Sequence, residues 1–173
     1  MKNEFLPIRI ALLTASDSRS VAEDRSGDAL VERIATAGHI LAARTLMREE
    51  IPSIQAVFRA WIANPQIDVI LANGGTGVTG RDITPEALRP LLDKELPGFG
   101  ELFRILSYQK IGTAAMLSRA LGGVSGGKFL FALPGSTNAV LQAWDEILQP
   151  QLDSRTRPGN LVILMPRLLE NIQ

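Results

Sequence analysis

Cysteine is absent from the 173-residue chain, and histidine occurs once, as His39. The absence of cysteine excludes disulfides, thiolate zinc sites and cysteine nucleophiles. With a single histidine, neither a histidine-rich metal centre nor an imidazole-based catalytic triad is expected, and His39 is predicted to begin a strand. The chemistry available to the chain is therefore that of carboxylates, hydroxyls and backbone amides.

The chain also lacks an excess of either charge and has no long apolar run. Its 18 basic residues balance 18 acidic ones, so no general attraction to nucleic acid or to an anionic membrane is expected. No run approaches the roughly 20 apolar residues of a membrane helix, and residues 1–7 are unlike a signal peptide. We expect a soluble, cytoplasmic protein whose residues 1–173 form one domain.

The most informative segment of the sequence is a glycine-rich stretch after residue 68. Residues 69–72 form a continuous apolar run, which is typical of a strand buried on both faces of a parallel sheet. Three glycines follow at Gly74, Gly75 and Gly77. Glycine allows the backbone to approach a ligand closely, so that several amides can point at one anion. The alternative is a tight turn without a ligand, but such a turn needs only one glycine.

The residues after these glycines are predicted to start a helix. Thr84 is expected to be its N-cap and Pro85 its first residue. With Thr84 as the cap, Arg81 and Asp82 have no evident structural role, which favours a functional one.

Two further predicted strands end in polar loops. The strand at 8–15 leads into Ser16 and Asp17 and a loop of about ten residues, longer than most strand-to-helix connections. Ser26 is the expected N-cap of the helix that follows, although a solvated loop with a capping serine explains this segment equally well. The strand at 128–133 ends in residues 134–138.

The remaining apolar patterns complete the predicted elements. A strand covers 39–47, and a helix from Pro52 to Pro65 places Trp61 in the core. Pro90 is expected to bend or split a helix that carries Leu96, and Pro97 to break it. Residues 122–127 are expected to turn a hairpin, and the tail at 161–165 to pair on a sheet edge or bury in a subunit contact.

Alternating strands and helices predict an α/β fold, a three-layer αβα sandwich around a mostly parallel sheet with a short antiparallel edge hairpin. The carboxyl ends of parallel strands share one edge of the sheet, so the three polar loops are expected to converge on one crevice. Because the loops supply hydroxyls, amides and carboxylates, the expected ligand is polar and phosphorylated.

Several ordered motifs resemble the MoaB/MogA family of molybdenum cofactor biosynthesis over residues 8–160. The motifs are Gly-Gly-Thr-Gly at 74–77 with Arg-Asp-Ile-Thr-Pro-Glu at 81–86, Pro-Gly-Phe-Gly-Glu at 97–101, Ser-Arg at 118–119, Pro-Gly-Ser at 134–136, Thr-Ala-Ser-Asp-Ser-Arg at 14–19 and Asp-Arg-Ser-Gly at 24–27. The segment Gln-Leu-Asp-Ser-Arg-Thr-Arg-Pro at 151–158 is similar to the MoaB branch in particular. The order of the motifs makes the resemblance specific.

The resemblance implies a ligand and a reaction. Members of the family bind molybdopterin, and the MogA-type enzymes join it to AMP from ATP with Mg²⁺ and release pyrophosphate. Asp82 matches the acidic residue associated with metal-assisted catalysis. The residues that match ligand-binding loops are Ser16, Asp17, Ser26, Gly27, Gly74, Gly75, Thr76, Gly77, Gly135 and Ser136.

One departure from the family pattern leaves two functions open. Glu49 stands where the adenylyltransferases carry an aspartate, and is assigned with Asp82 as a catalytic and metal-holding residue. The first hypothesis is an Mg²⁺-dependent molybdopterin adenylyltransferase, and the second is a non-catalytic protein that binds or carries molybdopterin. The family also implies a trimer-based homo-oligomer, most simply a hexamer, and contacts with other proteins of the pathway.

Overall fold

A six-stranded sheet lies at the centre of the computed structural model, which describes residues 4–17 and 23–170. Four neighbouring strands, in the order β2-β1-β3-β6, are parallel, and β5 and β4 continue the sheet antiparallel. The predicted mostly parallel sheet with an antiparallel edge hairpin is therefore confirmed. The strands are β1 Arg9–Ala15, β2 Ile40–Met47, β3 Val69–Asn73, β4 Lys94–Glu95, β5 Leu121–Ser125 and β6 Lys128–Leu133.

Helices cover both faces of the sheet, which confirms the three layers. Helices α1, α4 and α5 pack on one face and α2 and α3 on the other. The α-helices are α1 Arg25–Thr36, α2 Ile51–Ala63, α3 Thr84–Leu88, α4 Pro97–Ile111, α5 Thr137–Ala143 and α6 Gln149–Leu152. A π-helical turn, Trp144–Leu148, joins α5 to α6, and 3₁₀ turns cover Arg89–Leu91, Gly112–Leu117 and Val162–Arg167.

Strand β3 shows why its sequence is a continuous apolar run. All five of its residues are buried. Val69 and Leu71 belong to one core, whereas Ile70 and Ala72 belong to the core on the opposite face, because successive side chains of a strand point to opposite sides. A strand covered on both faces has no position for an alternating polar residue.

Two predicted helix caps are wrong. Asp24 caps α1, since its carboxylate accepts a hydrogen bond from the Gly27 amide at 3.0 Å, and Ser26 lies inside the helix. Thr84 is the first residue of α3 instead of its cap, and no side chain caps that helix. In both places the chain becomes helical earlier than the capping pattern indicates.

The segment around Pro90 is also partly mispredicted. As expected, α3 ends before Pro90, which lies in a 3₁₀ turn. Leu96, however, follows the two-residue strand β4, which is too short to leave a periodic signal. Pro97 begins α4 instead of breaking a helix, a position that suits proline because its missing N–H has no helical partner there.

Two apolar residues near the carboxyl terminus pack within the chain, which rules out one of the two alternatives predicted for this tail, whereas a subunit contact stays a prediction. Leu161 and Val162 are buried against the chain's own core, in and beside a 3₁₀ turn, so the tail does not pair on the sheet edge.

Trp61 is only half-buried at the rim of the core. His39 is buried and immediately precedes β2, close to where the strand was predicted to begin.

None of the helices within the described residues combines the length and the apolarity needed to cross a bilayer.

Candidate functional site

A cleft of about 260 Å³ lies at the carboxyl edge of the parallel strands. Strands β1, β3 and β6 are neighbours in the sheet, so the loops that follow them meet there, as expected from the sequence. The described residues that line the cleft are Ala15, Ser16 and Asp17 after β1, Gly74 and Gly75 after β3, Gly135 after β6, and Glu49 and Arg81.

The glycine loop after β3 requires glycine at its first two positions. Gly74 and Gly75 have φ of 98° and 65°, values that residues with a side chain rarely adopt. A Cβ on Gly74 would lie 2.3 Å from the Ala15 carbonyl oxygen, and one on Gly75 would lie 2.5 Å from Thr84 Oγ1. The loop therefore packs backbone directly against its neighbours and leaves the cleft edge open.

Arg119 holds the far part of this loop in place. Its Nε donates to the Gly77 carbonyl at 2.6 Å and its Nη2 to the Asp82 carbonyl at 2.7 Å, while Nη1 pairs with Glu86. The sequence placed Arg119 in a motif without a role. An arginine 37 residues from Asp82 in the chain gives no local signal that it will clamp that loop.

Asp82 has a structural role that the sequence analysis missed. Its Oδ2 accepts hydrogen bonds from the Thr79 amide at 2.8 Å and the Thr79 hydroxyl at 2.7 Å. Burial alone would raise the pKa of Asp82, but the bonds from Thr79 and the Gly77 amide, with the nearby Arg119, leave that pKa below its ordinary value. Asp82 is thus an ionised carboxylate that closes the turn after the glycines.

Glu49 is a carboxylate of the cleft with one oxygen that has no partner among the described residues. Its Oε2 is buried and accepts no hydrogen bond from the described residues, and it lies 3.2 Å from where a Cβ on Gly75 would be. Burial raises the pKa of Glu49, as do the charges of Asp17 and Asp82, and Arg81 opposes them only in part. A cation bound beside Oε2 would stabilise the ionised group.

A fully paired carboxylate, Asp24, lies beneath the same loops. It accepts hydrogen bonds from the Thr14 hydroxyl at 2.8 Å, from Arg44 at 2.9 Å and from the Gly27 amide at 3.0 Å. Burial would raise the pKa of Asp24, but these three partners outweigh burial and lower it. A Cβ on Gly27 would lie 2.0 Å from Asp24 Oδ2, so glycine is needed there to admit the carboxylate.

The structure separates the predicted ligand residues into groups. Ser16, Asp17, Gly74, Gly75 and Gly135 line the cleft together with Glu49. Thr76, Gly77 and Asp82 follow the loop away from the cleft, and Asp82 borders a shallow depression beside Arg119. Ser26 and Gly27 are buried below, where the Asn73 amide donates to Ser26 Oγ at 2.8 Å. Ser136 lines a separate, larger cavity.

Thr84 is a further residue of this region that the sequence analysis assigned only to capping. Its side chain is fully buried, and its Oγ1 has no hydrogen-bond partner among the described residues. The hydroxyl lies against Gly75, on the same side as Glu49 Oε2. Two buried polar atoms, Thr84 Oγ1 and Glu49 Oε2, therefore lie beside Gly75 without a hydrogen-bond partner among the described residues.

The fold and the cleft define an open α/β protein with its candidate ligand site at the carboxyl edge of the parallel strands. Residues 11–154 match the family model described as a probable molybdopterin binding domain. The chain is 47% identical over 160 residues to molybdenum cofactor biosynthesis protein B of Escherichia coli K12, covering 92% of this chain and 94% of that protein. The corresponding protein of Bacillus subtilis is 42% identical over 146 residues, covering 84% and 86%.

Solved structures agree with these relatives. A crystal structure of molybdenum cofactor biosynthesis protein B superposes with a TM-score of 0.85 at 41% identity, covering 94% of this chain and 96% of that one. The tungsten cofactor synthesizing protein MoaB of Pyrococcus furiosus gives 0.73 at 34% identity, covering 82% and 91%. The chain belongs to the MoaB branch of the MoaB/MogA family of molybdopterin-binding proteins.

Proposed function

We propose that the chain binds molybdopterin at the cleft and adenylylates it with ATP and Mg²⁺. The observation that carries the proposal is the meeting of three loops around one unpaired carboxyl group, Glu49, at the carboxyl edge of the sheet. The family model that covers these loops adds the identity of the ligand.

The glycines suit the phosphate end of molybdopterin. Gly75 and Gly135 line the cleft without side chains, so a phosphate can approach the backbone there. Ser16 also lines the cleft, and the exposed side chain of Arg81 adds a positive charge 3.9 Å from Asp17. The cleft thus combines polar groups with close backbone access.

Glu49 fits a magnesium ion. Mg²⁺ is commonly held by one or two carboxylates together with substrate phosphates and waters. Glu49 offers a buried oxygen that is unpartnered within the described part of the chain, and the charge of Asp82 is close enough to raise the pKa of Glu49. No cluster of three metal-ligating side chains occurs in residues 4–17 and 23–170, so the phosphates would complete the coordination. The ion would neutralise charge between the two anionic substrates.

The reaction needs no protein nucleophile. A phosphate oxygen of molybdopterin attacks the α-phosphorus of ATP, a new P–O bond forms, and pyrophosphate leaves. The protein's task is to position the two anions and to balance their charge. Hydroxyls, amides and carboxylates suffice for that task, and the chain contains no cysteine.

The direct test is incubation of the protein with molybdopterin, ATP and Mg²⁺, with pyrophosphate measured over time. We expect release that depends on both molybdopterin and Mg²⁺. Release at the same rate without molybdopterin would contradict the transfer reaction.

A non-catalytic molybdopterin-binding or carrier protein is the second candidate. Two observations favour it: Asp82 already accepts hydrogen bonds from Thr79, and burial together with the charges of Asp17 and Asp82 raises the pKa of Glu49, which disfavours its ionised form. This candidate predicts molybdopterin binding without pyrophosphate release. In that case Glu49→Asp should introduce activity, because the shorter side chain restores the residue found in the adenylyltransferases.

We also propose a trimer-based homo-oligomer, most simply a hexamer. Helix α4 and the 3₁₀ turn after it expose an apolar surface formed by Leu102, Ile105, Tyr108, Ile111, Met116 and Leu117. Such a surface is unfavourable in water unless another molecule covers it. Light scattering at micromolar concentration should give a multiple of the trimer mass, and a monomeric mass would contradict the proposal.

A further inference from the structure

The backbone segment 118–120 lies between helix α4 and the glycine loop and is hydrogen-bonded to both. It joins the 3₁₀ turn Gly112–Leu117 to β5. On the side of the loop, the Arg119 amide donates to the Thr76 carbonyl at 2.9 Å, and the Arg119 guanidinium donates to two further carbonyls of the loop region. A shift of this segment would therefore displace the loop that borders the cleft.

Arg104 of α4 holds the other side of the segment. Its Nη1 donates to the Ser118 carbonyl at 3.3 Å and to the Ala120 carbonyl at 3.2 Å. These two carbonyls lie immediately before and after Arg119 in the chain. Arg104 is half-buried and forms no ion pair with any of the described residues. Its described hydrogen bonds thus all go to the backbone on either side of Arg119.

Gly100 allows α4 to approach the segment this closely. It is a buried residue of α4, one helical turn before Arg104. A Cβ on Gly100 would lie 2.4 Å from the Ala120 carbonyl oxygen and 3.0 Å from Arg104 Nη1. The helix backbone therefore packs directly against the segment, and the guanidinium lies over the glycine, where a side chain would displace it.

We propose that Arg104 is a positioning residue of the ligand site, which acts on the glycine loop through Arg119. Arg104 fixes the backbone on either side of Arg119, and Arg119 fixes carbonyls of the loop. The support matters because backbone groups that bind an anion must keep their direction. The role rests on the proposed function for the identity of the ligand, whereas the support of the loop does not depend on that identity.

The two arginines differ in whether lysine can replace them. At Arg104 a single nitrogen donates to both carbonyls, and a lysine ammonium also carries all its donors on one nitrogen. At Arg119 three nitrogens have separate partners, in Gly77, Asp82 and Glu86. Lysine cannot reproduce that planar fork. Arg104→Lys should therefore stay closer to wild type than Arg119→Lys.

The test is a double-mutant cycle of Arg104→Met and Arg119→Met. Molybdopterin affinity is measured by equilibrium titration, and hydrogen exchange of residues 74–82 is measured without ligand. We expect affinity reduced about tenfold in Arg119→Met and about threefold in Arg104→Met, with faster exchange in 74–82 in both. The double variant should bind no more weakly than Arg119→Met alone, because Arg104 acts through Arg119.

The matched control is Arg89→Met. Arg89 lines the same cavity of about 370 Å³ as the two other arginines, but it pairs with Glu95 at the surface instead of holding the segment. Its removal should leave both molybdopterin affinity and exchange in residues 74–82 as in wild type. The Lys variants give a second comparison, which decides the question if a Met variant does not fold.

The contrary results are distinct. If the two single effects multiply in the double variant, Arg104 does not act through Arg119. If exchange rises equally in 74–82 and in the β-strands, Arg104 contributes only general stability. Equal affinity and exchange in the two Lys variants would also overturn the role. If wild type binds no molybdopterin but Arg104→Met speeds exchange in 74–82 alone, the proposed function fails and the support of the loop stands.

Discussion

Asp24 and Glu49 are two carboxylates at the same edge of one sheet, and the protein treats them in opposite ways. Asp24 is bonded to Thr14, Arg44 and Gly27, and its pKa is lowered. Glu49 has a buried oxygen with no partner among the described residues, and its pKa is raised. The first group is fully satisfied by the fold, whereas the second is not.

The difference separates structural from functional acids. A buried carboxylate that the fold satisfies stabilises the positions of the elements bonded to it. One that the fold leaves unpaired is unfavourable until a ligand, a cation or a proton joins it, and such groups cluster at functional sites. On this reasoning we propose that Asp24 holds together the elements bonded to it and that Glu49 serves the cleft.

Removing Asp24 should have the largest effect on folding. Asp24→Ala leaves the Thr14 hydroxyl and the Gly27 amide without their acceptor, while Arg44 keeps its ion pair with Asp28 at 2.7 Å. We therefore expect a loss of about 2–4 kcal/mol in the free energy of unfolding. Urea unfolding followed by circular dichroism measures it. The control is Asp145→Ala, which removes an exposed ion pair with Arg33 and should cost less than about 1 kcal/mol. Equal losses in the two variants would show that Asp24 does not support the fold as described.

Removing the charge of Glu49 should affect turnover and spare the fold. Glu49→Gln keeps the shape of the side chain, and we expect adenylylation to fall about 100-fold because charge neutralisation is lost. Molybdopterin affinity should remain within about threefold, since the glycine loop is intact. Pyrophosphate release and equilibrium binding, measured on the same preparation, separate the two effects. A variant with near wild-type turnover would remove Glu49 from the catalytic site.

The smallest expected effect is that of Glu49→Gln on the way the free energy of unfolding changes with pH. The pKa of Glu49 is raised above 4.5 in the folded state, so ionisation costs the folded chain more than the unfolded one. Protonated Glu49 therefore makes its full contribution to the free energy of unfolding below pH 4.5. This contribution is lost as the pH rises through the pKa of Glu49 in the folded state. Glu49→Gln should be more stable than wild type at pH 7, by less than about 1 kcal/mol because the group is partly exposed, and the advantage should vanish near pH 4. Thermal melts of both proteins over this range measure the difference, and a destabilised variant at pH 7 would contradict it.

Local patterns predicted the four parallel strands and the convergence of the loops that follow three of them correctly, as far as the described residues show. The apolar run of β3 and the glycines after it carry their signal within a few residues, and parallel strands necessarily bring their carboxyl ends together. These features depend on short-range sequence, which explains their success.

The contacts that define the site depend instead on residues far apart in the chain. Asn73 and Ser26 are 47 residues apart, and Arg119 and Asp82 are 37 apart. Neither pair has a spacing that a helix or strand period would reveal. The same limit explains why the sequence gives Arg119 no role in holding the glycine loop.

The most direct test of the central claim, that the glycine loop at this cleft holds the ligand, is molybdopterin binding to Gly75→Val. Valine is strained at a φ of 65°, and its Cβ would meet Thr84 Oγ1 at 2.5 Å. Gly80→Val is the control, because a Cβ on Gly80 meets nothing within 4 Å. With both variants shown to be folded and assembled like wild type, we predict affinity reduced by at least about tenfold in Gly75→Val and unchanged in Gly80→Val. Equal, tight binding by all three proteins would contradict the claim.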